Sequence, residues 1–354
     1  MKTVAMIPAY NEADVVSQII EHLSSQGINV VILDDGSTDG TYEACLSYLG
    51  KEALSVERQA TEKLEWATIL RKLYRMALRF SPDWVLLNAA DEFLESPNRE
   101  LSLSDAIEIE AEKGYNLIQF NNFEFWPTER DHDNLEETDV RKRLKYYTWN
   151  DDVQYRCWKA YPDMKVDQGG SHFPSFPAGI SANISPNKFV LRHYKIRSYE
   201  HGLRKVFAER LSRYTSEERN LGWHVHYDNF EKDRRYFVID STKLTKYNDD
   251  GNWKLIKTFD GTFGACPPVD GATILLREEN RRLLADLTRE QLVDRISILT
   301  EQLRELERQN ADLKGSVALR ITKKLPFDKH ARKLFPKQRG PLARNETSCK
   351  NPRE

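Results

Sequence analysis

The feature that most restricts the fold is the stretch Asn29–Leu33, whose Val30, Val31, Ile32 and Leu33 run without a polar break into Asp34 and Asp35. A strand that is apolar on both faces has to be covered on both sides. Sheets of that kind are parallel, with helical crossovers packed above and below. The rest of the first hundred residues reads the same way. Thr3–Pro8 is a second short apolar run, and Glu12–Ser25 places Val15, Val16, Ile19, Ile20 and Leu23 on one helical face. Another helix starts after the turn-rich Gly36–Thr41, and Ala53–Glu57 is a third strand. Glu62–Phe80 has helical periodicity, and Asp83–Leu87 is a fourth buried strand. The expected class is α/β, a mostly parallel sheet with helices on both faces. In such sheets ligand-binding residues gather at the carboxyl ends of the strands.

Beyond Glu100 the reading gives a helix at Leu103–Glu112, a strand at Asn116–Phe125 and a charged, aromatic stretch from Trp126 to Trp149. Residues 150–200 hold only short strand-like pieces, and a helix follows around Tyr199–Arg213. The Pro- and Gly-rich segment Gly261–Gly271 is the best linker. The domain division is therefore a body at 1–260, with halves at 1–100 and 101–260, then a linker at 261–275. Residues 276–313 show heptads: Leu292, Leu299, Leu306 and Leu313 take d positions, with Ile296, Leu303 and Asn310 at a. This pattern predicts a coiled coil and a homo-oligomer, and a buried Asn favours one register. The alternative is a helix packed back on the body.

Charge separates the last part from the rest. Residues 314–354 carry 12 Lys/Arg against 3 Asp/Glu, leaving 41 basic and 52 acidic residues before them. An acidic body argues against nucleic acid as a partner, whereas the basic tail suits an anionic membrane surface if amphipathic, or simple solvation if disordered. No apolar run is long enough to span a bilayer, and the N-terminus reads as a strand rather than a signal peptide, so a cytoplasmic protein, peripheral at the inner face of the membrane, is expected. Cys45, Cys157, Cys266 and Cys349 lack metal-ligand spacing and fit buried free thiols.

Three segments at strand ends carry the chemistry: Pro8-Ala9-Tyr10-Asn11-Glu12, Asp34-Asp35-Gly36-Ser37-Thr38-Asp39-Gly40, and Asn88-Ala89-Ala90-Asp91-Glu92-Phe93. In this order and spacing the sequence resembles the family 2 glycosyltransferases of the GT-A fold, closely over about the first 95 residues. The resemblance implies a metal-dependent, inverting transfer of a sugar from a nucleotide-diphosphate sugar to a hydroxyl acceptor; the basic tail alone points to a glycan or lipid-linked glycan acceptor in surface polysaccharide assembly. It implies that Pro8, Ala9, Tyr10 and Glu12 line the base pocket, that Asp34 meets the base, and that Asp35 meets the ribose or phosphates. Ser37 belongs to the turn, and Asp39 belongs to it or caps the next helix. Arg71 can reach the diphosphate or lie on a solvated helix face.

The third segment departs from the family, whose Asp-x-Asp appears here as Ala89-Ala90-Asp91. Asp91 can still hold Mn²⁺ or Mg²⁺, which prefer oxygen ligands and phosphates, while Asn88 is one residue out of register. Two later segments, Gly169–Phe173 and Val190–Tyr194, match family histidines. His193 is then a further metal or diphosphate contact. His172 or Asp167 is the catalytic base, with Glu124 and Asp131 also able to take a proton. Trp126, Trp149, Trp158 and Tyr161 can stack on sugars or fill the core. Ala89, together with Phe173 where the family has glutamate, leaves room for a catalytically silent scaffold of the same fold.

Overall fold

The computed structural model describes residues 1–131, 137–167, 174–215 and 227–259. Strand β1 (Thr3–Ala9) lies between β2 (Asn29–Asp35) and β4 (Trp84–Leu87), parallel to both, and β2 carries the parallel β3 (Ala53–Gln59) on its far side. Alternate residues of β1 serve opposite faces. Ala5 and Ile7 pack with α1 (Val16–Ser25) and α4 (Leu103–Glu112), whereas Val4 and Met6 pack with α3 (Trp66–Leu78). Helices thus cover both faces, as the unbroken apolar strands require. Short helices α2 (Thr41–Leu46) and α5 (Val140–Arg143) complete this part.

The sheet is mixed beyond β4, where the sequence reading gave a mostly parallel one. Strand β7 (Tyr146–Lys159), 14 residues long, pairs antiparallel with both β4 and β6 (Leu117–Phe125). Strand β8 (Phe189–His193) runs parallel to β6, and β5 (Glu92–Glu95) pairs antiparallel at its other edge. The order is β3-β2-β1-β4-β7-β6-β8-β5, with β9 (Thr245–Lys246) also on β7. Strand β7 escaped the sequence reading because Asn150, Asp151 and Asp152 interrupt its apolar alternation and the β6–β7 register shifts twice. One sheet therefore runs through both nominal halves of the body.

The helix expected at Tyr199–Arg213 begins as α6 (Tyr199–Leu203) and continues as a π-helical stretch, Arg204–Arg210. Trp126 and Trp158 are fully buried in the core, not available to a sugar, while Trp149 and Tyr161 are partly buried against it. Cys45 and Cys157 are buried free thiols. The linker, the heptads and the basic tail lie outside the described residues, as do His172 and the other two cysteines. Among the described residues no helix is long and apolar enough to cross a membrane.

Candidate active site

Two loops at the carboxyl edge of β1 and β2 are tied to each other by side chains. Asn11 adopts a left-handed backbone (φ 54°), which Asn tolerates better than most residues. Its backbone N–H donates to Ser37 Oγ (2.9 Å), and its Oδ1 accepts from the Thr38 N–H (2.8 Å). Asp34, wholly buried, accepts the N–H groups of Gly36 and Ser37 on Oδ2, with Arg58 at 3.3 Å. Burial raises its pKa against those bonds. Asp34 and Ser37 thus build the turn. Asp39 accepts from Thr41 N–H and Oγ–H on one oxygen and from Ala13 N–H on the other, a role close to the cap expected of it.

Asp35 faces the other way. With Pro8, Ala9, Tyr10, Glu12 and Asp91 it lines a cavity of about 70 Å³, with Leu64, Trp66, Ile69, Ala89 and Ala90 on the apolar side and Arg210 over it. Six residues named from three separate segments therefore meet around one space; Asp34, Ser37 and Arg71 are not on its wall.

Four cations that the sequence reading passed over fill this edge. Lys205 Nζ donates to Glu12 Oε1 (2.8 Å) and to Asp91 Oδ2 (2.7 Å). Arg197 bonds Glu12 Oε2 (2.6 Å) and both oxygens of Asp14 (2.7 Å each), and Arg210 lies 3.5 Å from Glu12 Oε1. Arg213 bonds Asp35 Oδ2 (2.5 Å), with its guanidinium carbon 3.9 Å from the centre of the Tyr10 ring, a cation–π contact. Lys205 and Arg210 meet the same carboxylate because they stand five residues apart in a π-helical turn, whose hydrogen bonds span i to i+5. Lys205 is 2% exposed. Lys residues are almost never buried without a partner, so their sequence signature is that of a solvated face. Only the interleaved Val206, Phe207 and Leu211 hinted that this stretch is covered.

Asp91 sits on a braced turn. Asn88 Nδ2 donates to the carbonyls of Ala89 (2.6 Å) and Glu92 (2.9 Å), so it locks the turn. Glu92 accepts from the Ala89 N–H (3.0 Å) and from buried Arg156 (2.6 Å). Burial alone would raise the pKa of Asp91. The ammonium of Lys205, with His193 and Arg197, outweighs burial and holds the carboxyl well below its usual range.

Of the nominated proton acceptors, the three within the described residues are already engaged. Asp167 and Arg71, assigned separate roles, bond each other at 2.5 Å. Burial pushes Glu124 up, but Lys195 at 2.7 Å and His193 bring it down to about 2, too acidic for a base near neutral pH. Asp131 accepts from the N–H and hydroxyl of Thr128; burial raises its pKa against those bonds.

A divalent cation finds few free ligands here. Glu12, Asp14 and His201 bring one ligand atom each within 4.8 Å of one another, a possible acidic metal-binding group. Both carboxylates of that group, however, grip the Arg197 guanidinium. At the third segment Ala89 offers no ligand and Lys205 covers Asp91 Oδ2, which leaves Asp91 Oδ1 and His193 Nε2, 3.7 Å apart. One carboxylate oxygen and one imidazole beside a buried ammonium do not fit a resident Mn²⁺ or Mg²⁺, because affinity in such sites follows the number of carboxylate charges.

Residues 4–68 match the family model of Glycosyl transferase family 2. Together with the mixed sheet and its two helical layers, this match identifies a GT-A fold. No curated protein matches the chain. Among solved structures, S. aureus TarS 1-349 is similar at 13% identity over 58% of this chain and 64% of that one (TM-score 0.35). The same TarS fragment in complex with UDP is similar at 13% identity over 57% and 63% (TM-score 0.32). The mannosyltransferase PcManGT from Pyrobaculum calidifontis, in complex with GDP-Man and Mn²⁺, is similar at 17% identity over 58% and 61% (TM-score 0.32). The chain spans less than two thirds of the length of these proteins.

Proposed function

We propose that the chain is a glycosyltransferase that moves a sugar from a nucleotide-diphosphate sugar to a hydroxyl acceptor with inversion at the anomeric carbon. The observation that carries this reading is the convergence of Tyr10, Glu12, Asp35 and Asp91 on one cavity under Arg210, at the sheet edge where open α/β folds bind ligands. In this reading Tyr10 and Asp35 hold the nucleoside, and Lys205, Arg210 and Arg213 turn from their carboxylates toward the diphosphate. Charge-assisted bonds from such cations stabilise the developing negative charge as the leaving group departs.

The acceptor oxygen attacks the anomeric carbon as the bond to the diphosphate oxygen breaks. Its proton passes to the base, for which His172 and Asp167 remain the proposed residues; release of Asp167 from Arg71 is required if it serves. The acceptor is proposed to be a glycan or lipid-linked glycan of a surface polysaccharide, reached from the cytoplasmic side. Support for that comes from the sequence: the basic tail suits an anionic membrane, and the heptads suit a homo-oligomer.

The test is a transfer and hydrolysis assay of the full chain against a panel of nucleotide sugars. Release of a nucleoside diphosphate from at least one of them is the expected result. Nucleotide binding without turnover of any sugar donor refutes catalysis and favours a scaffold of the same fold.

A further inference from the structure

We propose that Lys205 is a built-in counter-ion at the position where the family resemblance implies a divalent cation, so that this chain holds the diphosphate through Lys205, Arg210 and Arg213 without a metal. The inference rests on the proposed nucleotide-sugar reading and deepens it by naming what neutralises the leaving group.

Two observations point the same way. Ala89 removes one of the two carboxylates that would recruit a cation. The remaining one, Asp91, gives an oxygen to the Lys205 ammonium at 2.7 Å, and that ammonium also bridges to Glu12 at 2.8 Å. A positive charge thus occupies the point between two of the three carboxylates that line the cavity, where it would repel a divalent cation. A metal site needs an excess of negative ligands. Here the carboxylates are already matched: Glu12 by Lys205, Arg197 and Arg210, Asp35 by Arg213, Asp91 by Lys205. Both carboxylates that Lys205 bonds line the cavity, so the ammonium lies directly behind its wall. The cavity of about 70 Å³ is also far below the roughly 300 Å³ of a small-molecule pocket, so Arg210 on its wall has to swing off Glu12 to admit a ligand, and Arg213 follows if Asp35 is to be freed. Phosphate oxygens are the partners that three such cations would meet on doing so.

The test measures binding of UDP, GDP and dTDP to the full chain by calorimetry, with EDTA and then with Mn²⁺ or Mg²⁺. At least one nucleotide is expected to bind in EDTA with a dissociation constant within about threefold of its value with metal, a difference below about 0.7 kcal/mol. Binding that appears only with the metal, or tightens more than about tenfold, overturns the proposal and leaves the nucleotide-sugar reading standing. Absence of binding by every nucleotide under both conditions refutes both. Lys205→Ala should lose at least about tenfold in EDTA and recover part of that with Mn²⁺, since Asp91 Oδ2 is then open to it. Unchanged affinity of Lys205→Ala in EDTA counts against the proposal. If that variant does not fold, Arg210→Gln, which loosens a 3.5 Å contact with Glu12 and a cation–π contact with Tyr10 (5.6 Å), should weaken binding in EDTA, and unchanged affinity there overturns the role of the cations.

Discussion

Replacing Lys205 by Met keeps most of the side-chain volume and removes the charge. The two carboxylates it joins are affected unequally. Glu12 keeps Arg197 at 2.6 Å and Arg210 at 3.5 Å, whereas Asp91 is left with His193 at 3.7 Å. At the wild-type separation of 2.7 Å the gross attraction is roughly 6 kcal/mol for an effective dielectric of about 20. Desolvation of both ions offsets most of that, and removing one partner of a buried pair costs about 3–5 kcal/mol. The penalty belongs to the ionised carboxylate, which gives it a pH signature. In the wild type burial would raise the pKa of Asp91 but Lys205 prevails and lowers it, so this pair contributes stability above the ordinary carboxylate pKa and loses it only as pH falls below. In the variant burial is left to dominate and the folded-state pKa rises. Stability is then regained as pH falls through that raised value, by at most about 1.4 kcal/mol per pH unit. Urea unfolding followed by tryptophan fluorescence at pH 8 and pH 5 measures both proteins. The gap between them should be about 3–5 kcal/mol at pH 8 and clearly smaller at pH 5. An equal gap at the two pH values refutes the argument, because Asp91 would then carry no uncompensated charge.

Glu124 should dominate the acid limb of the wild-type stability curve. Burial raises its pKa, Lys195 and His193 outweigh that, and the net fall from 4.5 to about 2 is about 3 kcal/mol, fully present above pH 4.5 and lost as pH drops toward 2. Glu124→Gln should therefore be less stable at pH 6 and converge with the wild type near pH 2; a constant difference in denaturant titrations across that range rejects the assignment. Deleting residues 276–354 should yield a monomer by light scattering that still binds nucleotide, because the heptads are proposed to hold the oligomer and the cavity lies wholly in the body. An oligomer that survives the deletion would put the interface on the body instead.

The donor-side strands were legible because each states its environment locally. An apolar run buried on two faces, ended by Asp35 or by the turn before Asp91, specifies both a central strand and its polar edge. Helix α3 and strand β6 were readable for the same reason. Strand β7 was not, because its polar middle and its register shifts depend on what β4 and β6 present to it. The site was half legible. Carboxylates at strand ends announce themselves, since adjacent like charges need a use, but Lys205 and Arg213 are set in place by contacts with residues more than a hundred positions away. Beyond the interleaved Val206, Phe207 and Leu211, nothing near Lys205 in the chain distinguishes it from a solvated lysine. Asp34 adds a use its motif did not announce: one of its carboxylate oxygens ties its own turn.

The separation of charges along the chain also orders events during synthesis. Glu12, Asp35 and Asp91 are all in place within the first 91 residues, while Arg197, Lys205, Arg210 and Arg213 emerge more than a hundred residues later. At about 5–20 residues per second, that delay is roughly 5–20 s. Over that interval Glu12, Asp35 and Asp91 would lack the cations that later meet them, and a nucleotide diphosphate would be repelled by the same carboxylates that the finished protein neutralises. A ribosome stalled before residue 197 would display all three motifs and still be unable to hold the anion they are proposed to serve.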